Sequence, residues 1–251
     1  MVLADQVLSP LELWIPRNHQ EMELYFLVQT HIQIEKLRIA SNKQCASLAA
    51  QGFDGPLINK VQDSIEDFER WIELEIEKLV MSHPAWTWLS EVKGAGPENY
   101  GKVIAFIGDI GRFSTVSRLW GYAGYGVVGG KALRKTKGQR MSWNENLRTM
   151  CWRLGTSLMR ARGSYYRYYA EIKATYEQQY EGRIVKARKG VSVPPDMITT
   201  QHIHNMALRR MIKLFLSHLW EKWREAKGLP VGEPYAIDRL GHATPIKPFI
   251  D

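Results

Sequence analysis

Apolar residues return at three- and four-residue steps at Leu24, Leu27, Val28, Ile34 and Leu37, with His31 in the same stripe and polar residues between. This spacing predicts a long amphipathic helix. The turn formers Gln51-Gly52-Phe53-Asp54-Gly55-Pro56 interrupt it, and a second run follows at Ile58, Val61, Ile65, Phe68, Ile72, Ile76 and Leu79. Two helices joined by so short a loop pack antiparallel, so residues 21–83 are read as an αα-hairpin. The second helix has near-heptad spacing, with Glu66, Glu69, Glu73, Glu75 and Glu77 on its other faces. That acidic run is read as a solvated face, with pairing of the stripe to another chain as the alternative.

His83-Pro84 ends the hairpin, because proline disfavours a helical conformation in the residue before it. A short helix over residues 85–92 leads into Gly94-Ala95-Gly96, and Pro97 suits the first position of the next helix, which carries Val103, Ile104 and Ile107. This order predicts a helix-hairpin-helix unit. Ser114 is read as the cap of a helix over residues 115–122. Residues 124–142 hold five glycines and no apolar period, which reads as a loop or a short β-ribbon. Leu147, Cys151, Leu154 and Leu158 mark a helix, and Gly163-Ser164 separates it from a tyrosine-rich run over residues 165–180. A basic linker over residues 182–196 ends in Pro194-Pro195. The last long helix runs from near Thr199 to Lys227, with Ile203, Ala207, Met211, Leu214 and His218 on one face and Gly228 and Pro230 as stop signals.

The predicted fold is therefore mainly all-α: a long N-terminal αα-hairpin followed by a helical domain with a helix-hairpin-helix motif and a basic Gly-rich loop. The chain divides into a lead (1–20), the hairpin (21–83), the helical domain (84–227) and an irregular tail (228–251) expected to lie over the core or dangle. A hydrophobic fraction of 45% and a charged fraction of 24% are ordinary for a globular protein. Cys45 and Cys151 have no metal-ligand spacing and are read as reduced, with no disulfide. The opening MVLADQVLSPLELW lacks the pattern of a signal peptide, and no apolar run approaches the ~18 residues that span a bilayer. A cytoplasmic protein with no membrane partner is expected.

Charge changes the picture most. A net charge of +8 and a pI of 9.4 favour a polyanionic partner, because clustered Lys and Arg displace counterions condensed on nucleic acid, with a merely soluble basic protein as the alternative that charge alone does not separate. The turn at residues 94–96 would offer free N–H groups and the positive end of a helix dipole to a phosphate oxygen, with Lys93 and Lys102 beside it. Such a contact carries no base information. Further along stand Lys131, Arg134, Lys135, Lys137, Arg140, Arg148, Arg153, Arg160 and Arg162, against Glu145 alone. The candidate nucleic-acid contacts are Lys93, Gly94, Ala95, Gly96, Lys102, Lys131, Arg134, Lys135, Lys137, Arg140 and Arg148. The bland alternatives are a helix connection that binds nothing and a solvated basic loop. Trp120, Tyr122, Tyr125 and Trp143 are read first as packing and second as stacking platforms for unpaired bases.

Catalytic chemistry finds no footing. His202 and His204 are two residues apart and would lie on different faces of a helix. Asp109, Glu98 and Asp238 are scattered, and Ser114, Ser117 and Ser142 have no activating partner. No catalytic residue, metal ligand set or cofactor is expected.

The succession HPAWTWLSEVKGAGPENYGKVIAFIGDIGRFSTVSRLWGYAGYG, then GGK, a basic stretch and the helix start Asn144-Glu145-Asn146-Leu147-Arg148, resembles the transposases of insertion-sequence family 110/116/902. The resemblance covers roughly residues 21–227, matching their C-terminal transposase domain and the coiled-coil hairpin before it. It implies the scaffold of an RNA-guided DNA recombinase, with subunits paired through the hairpin and DNA or guide RNA held by the helix-hairpin-helix domain. Members also carry an N-terminal RuvC-like domain with four acidic residues and a nucleophilic serine before Gly-Gly-Lys. About twenty residues precede the hairpin here, so that domain is expected to be absent, and the serine position reads Val128. Valine has no hydroxyl to attack phosphorus. The expectation is a nucleic-acid-binding protein without recombinase activity of its own, partnered by DNA or structured RNA and self-associating through the hairpin. The alternatives are an accessory recombinase subunit using another serine such as Ser142 or working with a partner nuclease domain, and a structural oligomerisation protein.

Overall fold

A computed structural model describes residues 18–94, 96–138, 141–186, 190, 192–232 and 246–251. The fold is mainly all-α. Its helices are α1 (His19–Ala49), α2 (Pro56–Met81), α3 (Trp86–Leu89), α4 (Pro97–Ile107), α5 (Val116–Tyr122), α6 (Glu145–Ala161), α7 (Ser164–Gln179) and α8 (Thr200–Ala226). Two ribbons complete it: β1 (Val127–Val128) antiparallel to β2 (Lys131–Ala132), and β3 (Ile184–Val185) parallel to β4 (Ile198–Thr199). Among the described residues no helix is long and apolar enough to cross a membrane. Both cysteines are free thiols.

The chain forms two compact units, and the first joins Ile15–His83 with Pro97–Asp109. Asn18 caps α1, its side-chain oxygen accepting the Glu21 N–H at 2.8 Å. Pro56 begins α2, where a missing N–H costs nothing. Cross-links pair His31 with Glu73, Arg38 with Glu69 and Asn42 with Gln62, so partners converge toward the loop as an antiparallel hairpin requires. Leu24, Val28, Ile72, Ile76 and Val80 are buried, as are Val103, Ile104 and Ile107 of α4, which packs on both helices. Gly101 permits that approach: a Cβ there would lie 2.6 Å from Ile76 Cγ2 and 2.9 Å from Val80 Cγ2.

Residues 97–109 thus pack with the hairpin, whereas the sequence reading assigned them to the helical domain. The physical reason is the apolar face of α4, which is buried on α1 and α2. The order of a helix-hairpin-helix survives, but α3 is a single turn and α3 and α4 belong to different units.

In the second unit α8 is the central strut, with α5, α6 and α7 packed on it. Thr199 caps α8 through the His202 N–H at 3.0 Å, and Asn144 caps α6 through the Leu147 N–H at 2.9 Å. Leu147, Cys151, Leu154 and Leu158 of α6 and Ala207, Met211, Ile212 and Phe215 of α8 are all buried in the core of this unit. Trp220 donates its indole N–H to the Phe113 carbonyl at 2.7 Å, and Arg224 reaches the same carbonyl at 3.1 Å. The residue before α5 is Thr115 rather than Ser114, and its side chain makes no capping bond. The Gly-rich stretch is a ribbon whose turn residues Gly129 and Gly130 have φ of 55° and 74°, as a tight hairpin requires.

Residues 246–251 lie on this unit. Trp88 donates its indole N–H to the Phe249 carbonyl at 2.9 Å, and His218 Nε2–H donates to the Ile246 carbonyl at 2.9 Å. The lead over residues 1–17 and the tail over residues 233–245 lie outside the described residues.

Candidate nucleic-acid interface

The basic loop is held by the helices on either side of it. Arg148 lies over the Trp143 ring at 5.1 Å and donates to the Leu133 carbonyl at 3.4 Å. Arg209 of α8 donates to the Gly126 carbonyl at 2.9 Å and lies 5.2 Å from the centre of the Tyr125 ring. Lys213, one turn further, sits 3.9 Å over Trp120. Arg134, Lys135, Trp143, Glu145, Arg148 and Thr149 line an open pocket of about 330 Å³.

These cations act on one another. Burial lowers the proton affinity of Arg209, and the charge of Arg148 lowers it further. Burial and the charges of Arg209 and Arg210 bring Lys213 down to about 8 from its ordinary 10.5. Glu145 meets this face, 3.4 Å from Lys135. Tyr122, Tyr125 and Trp143 are buried, so they serve as packing and as beds for guanidinium groups rather than as exposed platforms.

Of the residues singled out in the sequence, Arg134, Lys135 and Arg148 come together, and Lys137 is exposed on the same loop. Arg140 and Ala95 lie outside the described residues, as does the side chain of Lys131. Sequence reasoning missed Arg209, Arg210 and Lys213. Their signal was three cations in five positions of α8, with Arg209 and Lys213 one turn apart on the side away from Ile203, Ala207 and Met211.

The glycine turn behaves differently. Gly94 has φ 122°, and a Cβ there would lie 2.6 Å from the Ala161 side chain. Its carbonyl accepts the Ser157 hydroxyl, which fastens the turn to α6. Gly96 is exposed with open space around it, and the Lys93 side chain is exposed. The Lys93 N–H already holds an anion, the Asp251 carboxylate at 3.0 Å.

Lys102 cannot serve the interface, which corrects the sequence reading. Its residue is 0% exposed in the first unit, with Nζ bonded to Glu98 and 3.9 Å from Glu35. It belongs to a polar layer built from three pairs one helical turn apart: His31 and Glu35 on α1, Glu69 and Glu73 on α2, Glu98 and Lys102 on α4. His31 Nε2 is 3.0 Å from Glu73, 3.8 Å from Glu98 and 4.0 Å from Glu69. The ligand atoms of His31, Glu73 and Glu98 lie within 4.8 Å of one another, which is metal-binding reach. Arg38 and Lys102 already neutralise Glu69 and Glu98, so the layer works as an ion-pair lock between the helices. Histidine and charged residues recurring inside apolar stripes were its signal.

No protein-family model and no curated protein matches the chain.

Proposed function

We propose that this chain is a transposase-like nucleic-acid-binding protein that grips the phosphate backbone with the basic loop and the adjoining face of α6 and α8. The observation that carries this is the gathering of Arg134, Lys135 and Arg148 at one open pocket, with Arg148 near enough to lower the proton affinity of Arg209, and with Arg209 and Arg210 adding to the burial that brings Lys213 down to about 8. Like charges held together oppose folding, and a polyanion is the ligand that relieves them. The charge is also segregated. By sequence, the unit of Ile15–His83 and Pro97–Asp109 has eight Lys and Arg against thirteen Asp and Glu, so the remainder carries +13 of the chain's +8.

The order of motifs shared with insertion-sequence family 110/116/902 supports the transposase-like part of the reading. Val128 stands beside the Gly129-Gly130 turn with 70% of its surface exposed and offers no hydroxyl there, so we assign no recombinase activity to the chain alone. Self-association through the hairpin is part of the proposal. Phe68 and Trp71 stack at 5.8 Å on the outer side of α2, where Leu57, Val61 and Leu74 are also exposed.

The test is a gel-shift series with duplex DNA, single strands and structured RNA across salt concentrations. The expected result is steep salt dependence, with Lys135→Glu combined with Lys137→Glu weakening binding equally on all sequences and lowering the salt slope by about 2. Unchanged affinity in that double variant would remove the loop from the interface. Covalent adduct formation on a nicked duplex, lost in Ser142→Ala, would establish the recombinase alternative instead.

A further inference from the structure

The open pocket beside the basic loop is lined by two kinds of group. Arg134 and Lys135 come from the loop after β2, Trp143 and Glu145 flank the cap residue Asn144, and Arg148 and Thr149 belong to the first turns of α6. Three of these are cations, but Glu145 is a carboxylate, and it would repel a bare phosphate. Nor does it stand there to neutralise Lys135. The two side chains are 3.4 Å apart with 52% and 69% of their surfaces exposed, a pair that water and salt screen. The pocket therefore offers a ligand both cations and an acceptor.

It also holds a flat surface that the fold sets in advance. Arg148 lays its guanidinium over the Trp143 indole, 5.1 Å from the ring centre, and donates to the Leu133 carbonyl at 3.4 Å. Gly124, with φ 74°, makes room for this stack: a Cβ there would lie 2.8 Å from Trp143 Cδ1 and 2.9 Å from Arg148 Cδ. Asn144 fixes the start of α6, accepting the Leu147 N–H and donating to the Tyr122 hydroxyl at 2.9 Å. Glu145, Arg148 and Thr149 then share one side of the helix by their three- and four-residue spacing. A guanidinium bedded on an indole is a plane on which an unpaired base can stack. The volume of about 330 Å³ is at the small end of ligand pockets, room for one nucleotide and not for a duplex.

We propose that the pocket takes one unpaired guanine nucleotide, with the base on the Arg148 guanidinium, its N–H edge on the Glu145 carboxylate and its phosphate on Arg134 and Lys135. This rests on the nucleic-acid reading of the chain and adds a base to the backbone grip. The choice of base follows from the donors. A carboxylate only accepts, and guanine alone of the DNA bases sets two N–H donors side by side on its pairing edge, where a carboxylate takes them together. Adenine and cytosine place their amino group beside a bare ring nitrogen, and the single N–H of thymine stands between two carbonyls. Each of these turns a lone pair toward Glu145. In a duplex the guanine edge is already paired, so the occupant is a single-stranded or flipped-out residue.

The full chain and Glu145→Gln are titrated at fixed salt with fluorescent oligo-dT strands carrying one central dG, dA or dC, and with a duplex. The parent should bind the dG strand about five- to tenfold tighter than the other two. Glu145→Gln should weaken the dG strand yet tighten the dA and dC strands and the duplex, because a paired acceptor is lost and a negative charge with it. A charge that merely repels nucleic acid would tighten all four alike. Glu145 is exposed, and circular dichroism keeps the comparison to folded proteins. Equal affinity of the parent for the three strands, or uniform tightening in Glu145→Gln, overturns the inference, and salt-dependent duplex binding then leaves the backbone grip standing. If neither strand nor duplex binds at any salt, the nucleic-acid reading fails by itself. Guanosine and adenosine monophosphate then decide the pocket, followed by NMR at the Trp143 indole N–H. A shift with the guanine nucleotide alone supports it, and no shift or equal shifts overturn it.

Discussion

Lys213 is a cation whose charge depends on ordinary laboratory pH. Lys213 loses its proton as pH rises through about 8. Duplex affinity should therefore fall about two- to fivefold between pH 7 and pH 9, and Lys213→Arg should flatten the profile. Stability runs the other way. With a folded value below the ordinary 10.5, the proton opposes folding, so stability rises as pH climbs from about 8 toward 10.5. Lys102 gives the converse case. Lys102→Met leaves Glu98 and Glu35 without their cation and should cost about 3 kcal/mol in a urea melt. Duplex affinity of the folded variant should stay unchanged, because the ammonium does not reach solvent.

Elements depend on fit as much as on charge. Gly101→Val would drive a branched side chain into Ile76 and Val80 and should destabilise the hairpin unit by about 1–3 kcal/mol, read as a lower denaturant midpoint. The segment at residues 246–251 is governed by His218, whose Nδ1 accepts the Tyr165 hydroxyl at 2.7 Å while Nε2–H holds Ile246. Burial lowers His218 from 6.5 to about 4. The unfolded chain therefore takes the proton first, and stability present above pH 6.5 is lost toward pH 4, by about 3 kcal/mol over the window. Melting midpoints across that range should show this loss, and His218→Gln should lack it. Helix starts and stops were legible in the sequence at Pro56, Thr199 and Gly228, because caps and period are local. The partner of α4 was not, since nothing near Gly101 names Ile76. Lys102 misled because lysine is seldom buried. Asp251 was out of reach for a reading by neighbourhood, lying 158 residues from the Lys93 N–H it meets. Arg209 and Lys213 were overlooked because α8 was read for its apolar face.

For the whole molecule, the charge partition sets where a polyanion can lie. A duplex carrying photoreactive backbone groups should crosslink to residues 131–162 and 209–213 and leave α1 and α2 unmarked. Crosslinks on α2 would contradict that arrangement. The covalent path adds a separate constraint. The chain enters the acidic unit twice, once for the hairpin and once for Pro97–Asp109, and α4 fills the seam along Leu24, Ile76 and Val80. Neither unit is a contiguous stretch, so no single cut releases one intact. A chimera that borrows residues 19–81 alone would carry an open apolar trough. The hairpin is therefore not a cassette that recombination between genes can pass on by itself; it travels with the eleven-residue α4 or arrives incomplete.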